Sequence, residues 1–172
     1  MNTHKTAKLY SVIFALLLCL GCTSVTAETR IAVLDFELKD LTLAPGIPAE
    51  IERTASVKPI LENELKNSGY TIVSIPQVAQ LSATSGTGYL FDHHDVAAQL
   101  ADKYGVDYVI VGRLHKPSFL FVYLMAHVID VSNGKLIGNY VSEVKGGEKK
   151  LTRKGVESLA VKINDKLNAI TQ

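Results

Sequence analysis

Two short links in the C-terminal half restrict the fold more than anything else in the chain. Residues 107–115 (DYVIVGRLH), 119–131 (FLFVYLMAHVIDV) and 135–145 (KLIGNYVSEVK) all read as strands, rich in β-branched and aromatic side chains. Only Lys116, Pro117 and Ser118 separate the first pair, and only Ser132, Asn133 and Gly134 the second. Parallel neighbours need a crossover of about a dozen residues or more. Both links are therefore antiparallel hairpins, and Asn133-Gly134 predicts a type I′ turn in the second. If the first turn centres on Pro117 and Ser118, His115 pairs near Leu120, and His127 faces Tyr140 across the second hairpin.

The preceding chain alternates. Residues 28–38, with IAVLDFEL, predict a first strand, and 39–48 (KDLTLAPGIP) a surface loop broken by Pro45, Gly46 and Pro48. From 49 to 67 the apolar positions Ile51, Ala55, Leu61 and Leu65 recur at helical spacing, with Pro59 as a kink or the true start. Residues 70–75 (YTIVSI) form a second strand, and 82–88 (SATSGTG) a mobile loop. Asp92 reads as the N-cap of a helix, with Asp95 three residues on and Val96, Ala97, Leu100, Ala101 and Tyr104 on its buried face. A closing helix buries Thr152, Val156, Leu159, Ile163, Leu167 and Ile170. The order β-α-β-α-β-β-β-α lets the first two strands lie parallel. It predicts an α/β two-layer sandwich: a mixed five-stranded sheet with helices on one face.

A helix followed by YGVDYVIVGRL, a long apolar strand, DVSNGKLIG and an amphipathic closing helix resembles the N-terminal domain of TolB and the related CsgG-like envelope proteins. The stretch from IAVLDFEL to the closing helix resembles, more closely, a family of small exported proteobacterial proteins of unknown function. These motifs are turns and strands, so the resemblance implies the fold and an envelope location and names no activity.

Lys5 and Lys8, the apolar run 10–20 (YSVIFALLLCL) and the small polar stretch after it have the layout of a secretory signal. The run is shorter than the roughly twenty residues of a membrane-spanning helix. Val25-Thr26-Ala27 places small residues for cleavage before Glu28, giving a signal peptide over 1–27 and one domain over 28–172. Leu20-Gly21-Cys22 competes as a lipobox in which Cys22 would carry lipid and hold the protein on a membrane; Cys19 sits where that motif usually has an aliphatic residue. The small-residue rule favours the soluble periplasmic product. That product keeps sixteen basic and seventeen acidic side chains and neither cysteine, so it has no disulfide and no thiolate ligand. The even charge excludes a nucleic-acid binder that works through bulk charge.

No complete catalytic motif is present. His93 and His94 are adjacent, about 100° apart on a helix, and neither has a ligand one turn on, so no metal is expected there. His115 and His127 lie on neighbouring strands but, in the register above, about 23 Å apart. Ser85, Gly86, Thr87 and Gly88 lack the lysine and glycine spacing of a phosphate loop. Asp35, Glu37 and Asp40 cluster near the end of strand one, where α/β folds often bind ligands, without an identifiable cationic companion. No cofactor is implied.

The strand over 119–131 is apolar on both faces. Leu120, Val122, Leu124, Ala126 and Val128 are purely aliphatic and suit the core. Phe119, Phe121, Tyr123, Met125 and His127 then face outward, either bare as a binding surface or covered by a loop such as 39–48. The expected function is a non-enzymatic periplasmic interaction module, an accessory to an envelope or exported redox or transport system. It would bind an envelope protein or a second copy through Phe119, Phe121, Tyr123 and Met125. The alternative is a periplasmic small-molecule-binding protein using Asp35, Glu37 and Asp40.

Overall fold

A computed structural model describes residues 28–146 and 149–171. The signal segment, its cleavage site and Cys22 lie outside the described residues. In chain order the elements are β1 (Arg30–Val33), β2 (Glu37–Asp40), α1 (Pro48–Asn67), β3 (Thr71–Ile72), α2 (Gln77–Ala83) and α3 (Tyr89–Asp92). They continue with α4 (His94–Asp102), β4 (Tyr108–Lys116), β5 (Phe121–Asp130), β6 (Lys135–Lys145) and α5 (Lys149–Thr171).

The sheet runs β3-β1-β4-β5-β6, with β1 parallel to β3 and β4 and the last three strands antiparallel. The α/β sandwich expected from the sequence is the observed architecture. The expected first strand is two strands, so the sheet has six. β1 pairs Val33 with Ile110 and β2 pairs Glu37 with Arg113, leaving three residues opposite two. This bulge reverses the inside-outside alternation, as a one-residue slip must. Ile31 and Val33 point to the same core as Phe36 and Leu38, whereas Glu37 turns to the opposite face beside Arg113.

The two long helices form the second layer. Val57, Leu61 and Leu65 of α1 and Val156, Leu159, Ile163 and Leu167 of α5 meet Ile31, Val33, Ile110, Leu114, Val122, Leu124, Ala126 and Val128. Val122 to Val128 thus point inward as expected. Leu120 does not; it is exposed in the first hairpin loop. Ile170 is also exposed. On α1 the buried side chains after Pro48 are Glu50, Arg53 and Thr54, while Ile51 and Ala55 face out. The helix begins at Pro48 and passes through Pro59 on its exposed side.

A smaller core occupies the opposite face, around β1 and the N-terminal half of β4. Ala32, Leu34, Val109, Val111 and Ile129 pack there against Ile75, Phe91, Ala97, Ala98, Leu100 and Ala101. The cover comes from α3 and α4, not from the 39–48 loop.

Both hairpin registers differ from expectation. His115 pairs with Tyr123 across a loop of four residues, 117–120. In the second hairpin His127 faces Asn139, while Tyr140 pairs with Ala126: the hairpin closes on Asp130 and Lys135, and the shift between Val128 and Ile129 restores only one residue of the expected register. The link is again four residues, 131–134. Among the described residues no non-glycine residue has positive φ, which excludes a type I′ turn on Asn133. Gly134 supplies the left-handed residue at φ 67°. The Asp130 carboxylate accepts hydrogen bonds from the Ser132 amide and hydroxyl (2.9 and 2.7 Å) and from Asn133 Nδ2 (2.8 Å), closing the turn by side-chain chemistry.

Candidate functional site

The bulge positions the site. It turns Glu37 toward Arg113, a buried charge in strand β4 that follows the apolar run Val109 to Gly112. Burying an arginine demands partners. Arg113 Nε pairs with Glu37 Oε1, Nη2 lies 3.6 Å from Asp92 Oδ2, and the guanidinium sits 4.1 Å above the Phe91 ring. The other Glu37 oxygen accepts the Gly88 amide. Gly88 has φ 88°, and a Cβ there would lie 2.8 Å from Arg113 Nη2, so the position takes only glycine. The loop over 85–88 is thereby fastened to the sheet.

Between this loop, α2 and the bulge lies a cleft of about 440 Å³, lined by Asp35, Glu37, Gln77, Thr84 and Thr87 and by apolar Leu34, Leu81, Leu90 and Phe91. Its size is within the range of small-molecule sites. Two of the three acids singled out in the sequence, Asp35 and Glu37, meet there. Each acid has a cationic partner invisible at sequence level: Lys58 for Asp35 (2.8 Å), Arg113 for Glu37 and Lys116 for Asp40 (3.8 Å). Asp40 belongs to a buried network instead, where Lys116 Nζ is 3.0 Å from Glu50 Oε1 and Arg53 bonds Thr152 (2.8 Å) and the Gly146 carbonyl (3.0 Å). Burial alone would raise the Asp40 carboxyl. Hydrogen bonds from the Thr42 hydroxyl and the Thr42 and Gly46 amides, with the Lys116 charge, outweigh it and hold the group below its ordinary value.

Asp92 caps nothing. It ends α3 and faces Arg113; His93 is the N-cap residue of α4, without a side-chain cap bond, and its ring stacks on Tyr89. His94 Nε2 instead lies 2.9 Å from His127 Nδ1, tying α4 to β5, and the His127 ring stacks on Phe91 with centroids 3.9 Å apart. His115 and His127 are four positions apart along neighbouring strands, about 13 Å, so the expected separation shrinks. Among the described residues, no group of three or more His, Cys, Asp or Glu is placed to hold a metal ion.

Burial, the His94 ring and Arg113 lower the His127 imidazole below the ordinary histidine value, against the opposing pull of the Phe91 carbonyl and Asp92. Below about pH 6.5 the unfolded chain takes up a proton at this histidine while the folded one resists it, so acid favours unfolding. The contribution is complete above about pH 6.5 and is lost as the pH falls toward the folded value. Melting temperature should therefore drop between pH 7 and 5, and His127→Phe, which keeps the ring on Phe91, should flatten that part of the profile. An unchanged slope in the variant would remove His127 from the pH response.

The second candidate surface is the outer face of β5. α3 and α4 cover its C-terminal half, burying His127. Phe121, Tyr123 and Met125 remain half-exposed, and Phe119 is exposed in the hairpin loop. Across the ladder Met125 faces Val141, itself exposed, and Tyr123 faces Glu143 and His115, whose ring lies 6.4 Å away. One half of this face is closed by helices and the other is open.

Fold and site together define a small α/β sandwich domain with an ion-paired cleft at the bulge and a half-covered sheet. The chain belongs to the DUF3280 family, described as protein of unknown function (DUF2380), whose model matches residues 29–163. This agrees with the expected membership of a family of unknown function carried by IAVLDFEL through the closing helix. No curated protein matches the sequence. Among solved structures, PelC from Paraburkholderia phytofirmans, a dodecamer, is similar with TM-score 0.52 and 19% identity over 81% of this chain and 87% of that one. Lipoprotein GNA1162 from Neisseria meningitidis gives 0.51 and 15% identity over 80% and 99%. LpoB from E. coli gives 0.50 and 21% over 70% and 59%. At these identities the likeness is one of fold. No helix among the described residues is long and apolar enough to cross a membrane.

Proposed function

We propose that this chain is a non-enzymatic accessory of the cell envelope that binds protein, a second copy of itself or a component of an exported redox or transport system, through the open half of its sheet. One observation carries the reading: Phe121 and Tyr123, with Met125 at the edge of the smaller core and exposed Val141 beside it, form a half-exposed aromatic and aliphatic strip on the part of the sheet that α3 and α4 leave open. Rigid, weakly hydrated side chains of this kind supply most of the energy of small interfaces. PelC, which shares the fold, is a dodecamer, and GNA1162 is a lipoprotein; both support an assembling envelope protein, exported behind a signal at 1–27 or anchored through Cys22. The acids of the cleft are held by cations and His127 by His94, which supports binding over catalysis.

Phe121→Ser with Tyr123→Ser should leave the melting curve nearly unchanged, since neither side chain belongs to a core, and should reduce self-association or partner capture at least tenfold in sedimentation. Cooperative unfolding of the double variant would place the two rings in the core and sink the proposal.

The size of the cleft and its pair of acids, Asp35 and Glu37, favour a second reading, small-molecule binding. Its signature is a rise in melting temperature with a metabolite at modest excess, lost in Asp35→Asn.

A further inference from the structure

We propose that the end of the domain carrying Leu41, Leu43, Ile47 and Leu120 docks on an anionic lipid surface. Six of the twelve large apolar side chains that are exposed among the described residues, these four with Ile51 and Phe119, lie at this one end. β2, β4 and β6 all run toward it and α1 starts from it. The pieces are continuous: the Leu41 amide bonds the Lys116 carbonyl (2.9 Å), and the Gly146 amide bonds the Leu120 carbonyl (2.9 Å).

The display is built into the fold. Asp40, its side chain 2% exposed, accepts hydrogen bonds from the Thr42 amide and hydroxyl (3.0 and 2.7 Å) and from the Gly46 amide (3.3 Å). This anchored turn holds Leu43 at 98% exposure. A buried carboxylate that fixes a loop so that its leucines point into water makes sense where those leucines enter something apolar.

Charge selects the occupant. Lys39, Lys145, Lys149 and Lys150 are exposed at this end. The exposed acids among the described residues nearby are Asp35, which lines a cleft with Ile51 and pairs with Lys58 at 2.8 Å, Glu52, paired with Lys149 at 2.8 Å, and Glu143, opposite Tyr123. Protruding apolar side chains ringed by lysines match the boundary between acyl chains and acidic headgroups. The inference goes beyond the sheet-face reading and, Phe119 apart, uses different residues.

The test sediments exported protein carrying Cys22→Ser, which removes any acyl chain, with phosphatidylcholine vesicles with and without phosphatidylglycerol. Binding should require phosphatidylglycerol and weaken as salt is raised. Leu41→Ser with Leu43→Ser should lower the bound fraction at least about tenfold, given the apolar area withdrawn, without moving the melting curve, while Phe121→Ser with Tyr123→Ser should leave vesicle binding unchanged. Absence of binding to acidic vesicles, or binding that survives the leucine changes, overturns the proposal. So does a change in the oligomeric state of the free protein on removing Leu41 and Leu43, which would make this end a contact between copies.

Discussion

Replacing Lys116 with Met should cost about 3–5 kcal/mol, the usual consequence of removing one partner from a buried ion pair. The Lys116 side chain is 5% exposed and lies 3.0 Å from Glu50 Oε1 and 3.8 Å from Asp40 Oδ2. Methionine keeps the length of the stem but leaves Glu50 facing Arg53 at 3.6 Å, with one oxygen already lacking a hydrogen bond. Asp40 suffers less, because Thr42 and Gly46 still hold it. For a domain of this size the loss corresponds to roughly 6–20 °C in melting temperature. Adding Glu50→Gln to Lys116→Met removes the stranded charge and should recover more than half of the loss. Denaturant titration of the two single variants and the double checks this; a single-variant loss below about 1 kcal/mol would mean that water reaches the network.

Gly155→Leu should be comparably damaging for a steric reason. Gly155 lies inside α5, where glycine weakens a helix by about 1 kcal/mol relative to alanine. A Cβ at this position would lie 2.5 Å from Val144 Cγ2 and 3.0 Å from Leu124 Cδ1, both in the main core. The glycine lets α5 approach β5 and β6 closely. Leucine adds three further carbons to a packed contact and should push the helix off the sheet, costing about 3 kcal/mol or more. Gly155→Ala sets a gain in helix propensity against a tight contact and should cost much less. Thermal melts that show leucine as harmless as alanine would mean that the interface is loosely packed.

The parts of the fold written locally were legible in the sequence. The length of two links dictated the meander, and aliphatic alternation placed Val122 to Val128 in the core. Register was not legible, because both hairpin loops take four residues, 117–120 and 131–134, and single-residue irregularities at Leu34–Phe36 and at Val128/Ile129 shift the pairings beyond them. Helical spacing through Ile51 and Ala55 locates the 49–67 helix, yet its first turns bury Glu50 and Arg53, whose partners Lys116 and Thr152 stand 66 and 99 positions away. The acids Asp35 and Glu37 of the cleft were legible, but their surroundings were not, for the same reason: Glu37 meets Arg113 across 76 positions and His94 meets His127 across 33. One signal was present. Arg113 interrupts YVIVGRLHK, and a charge inside a buried strand requires a carboxylate, which Glu37 alone on β1 and β2 could supply from the opposite face.

The interaction reading turns on whether Tyr123 touches another protein chain in the cell. A photo-crosslinking amino acid placed at position 123, with position 161 on the exposed face of α5 as control, measures this directly. The expected result is a covalent adduct of higher mass from position 123, to a second copy or to one other protein, and none from position 161. No adduct at 123, or equal adducts from both positions, would contradict the assignment of the open sheet face as the working surface of this protein.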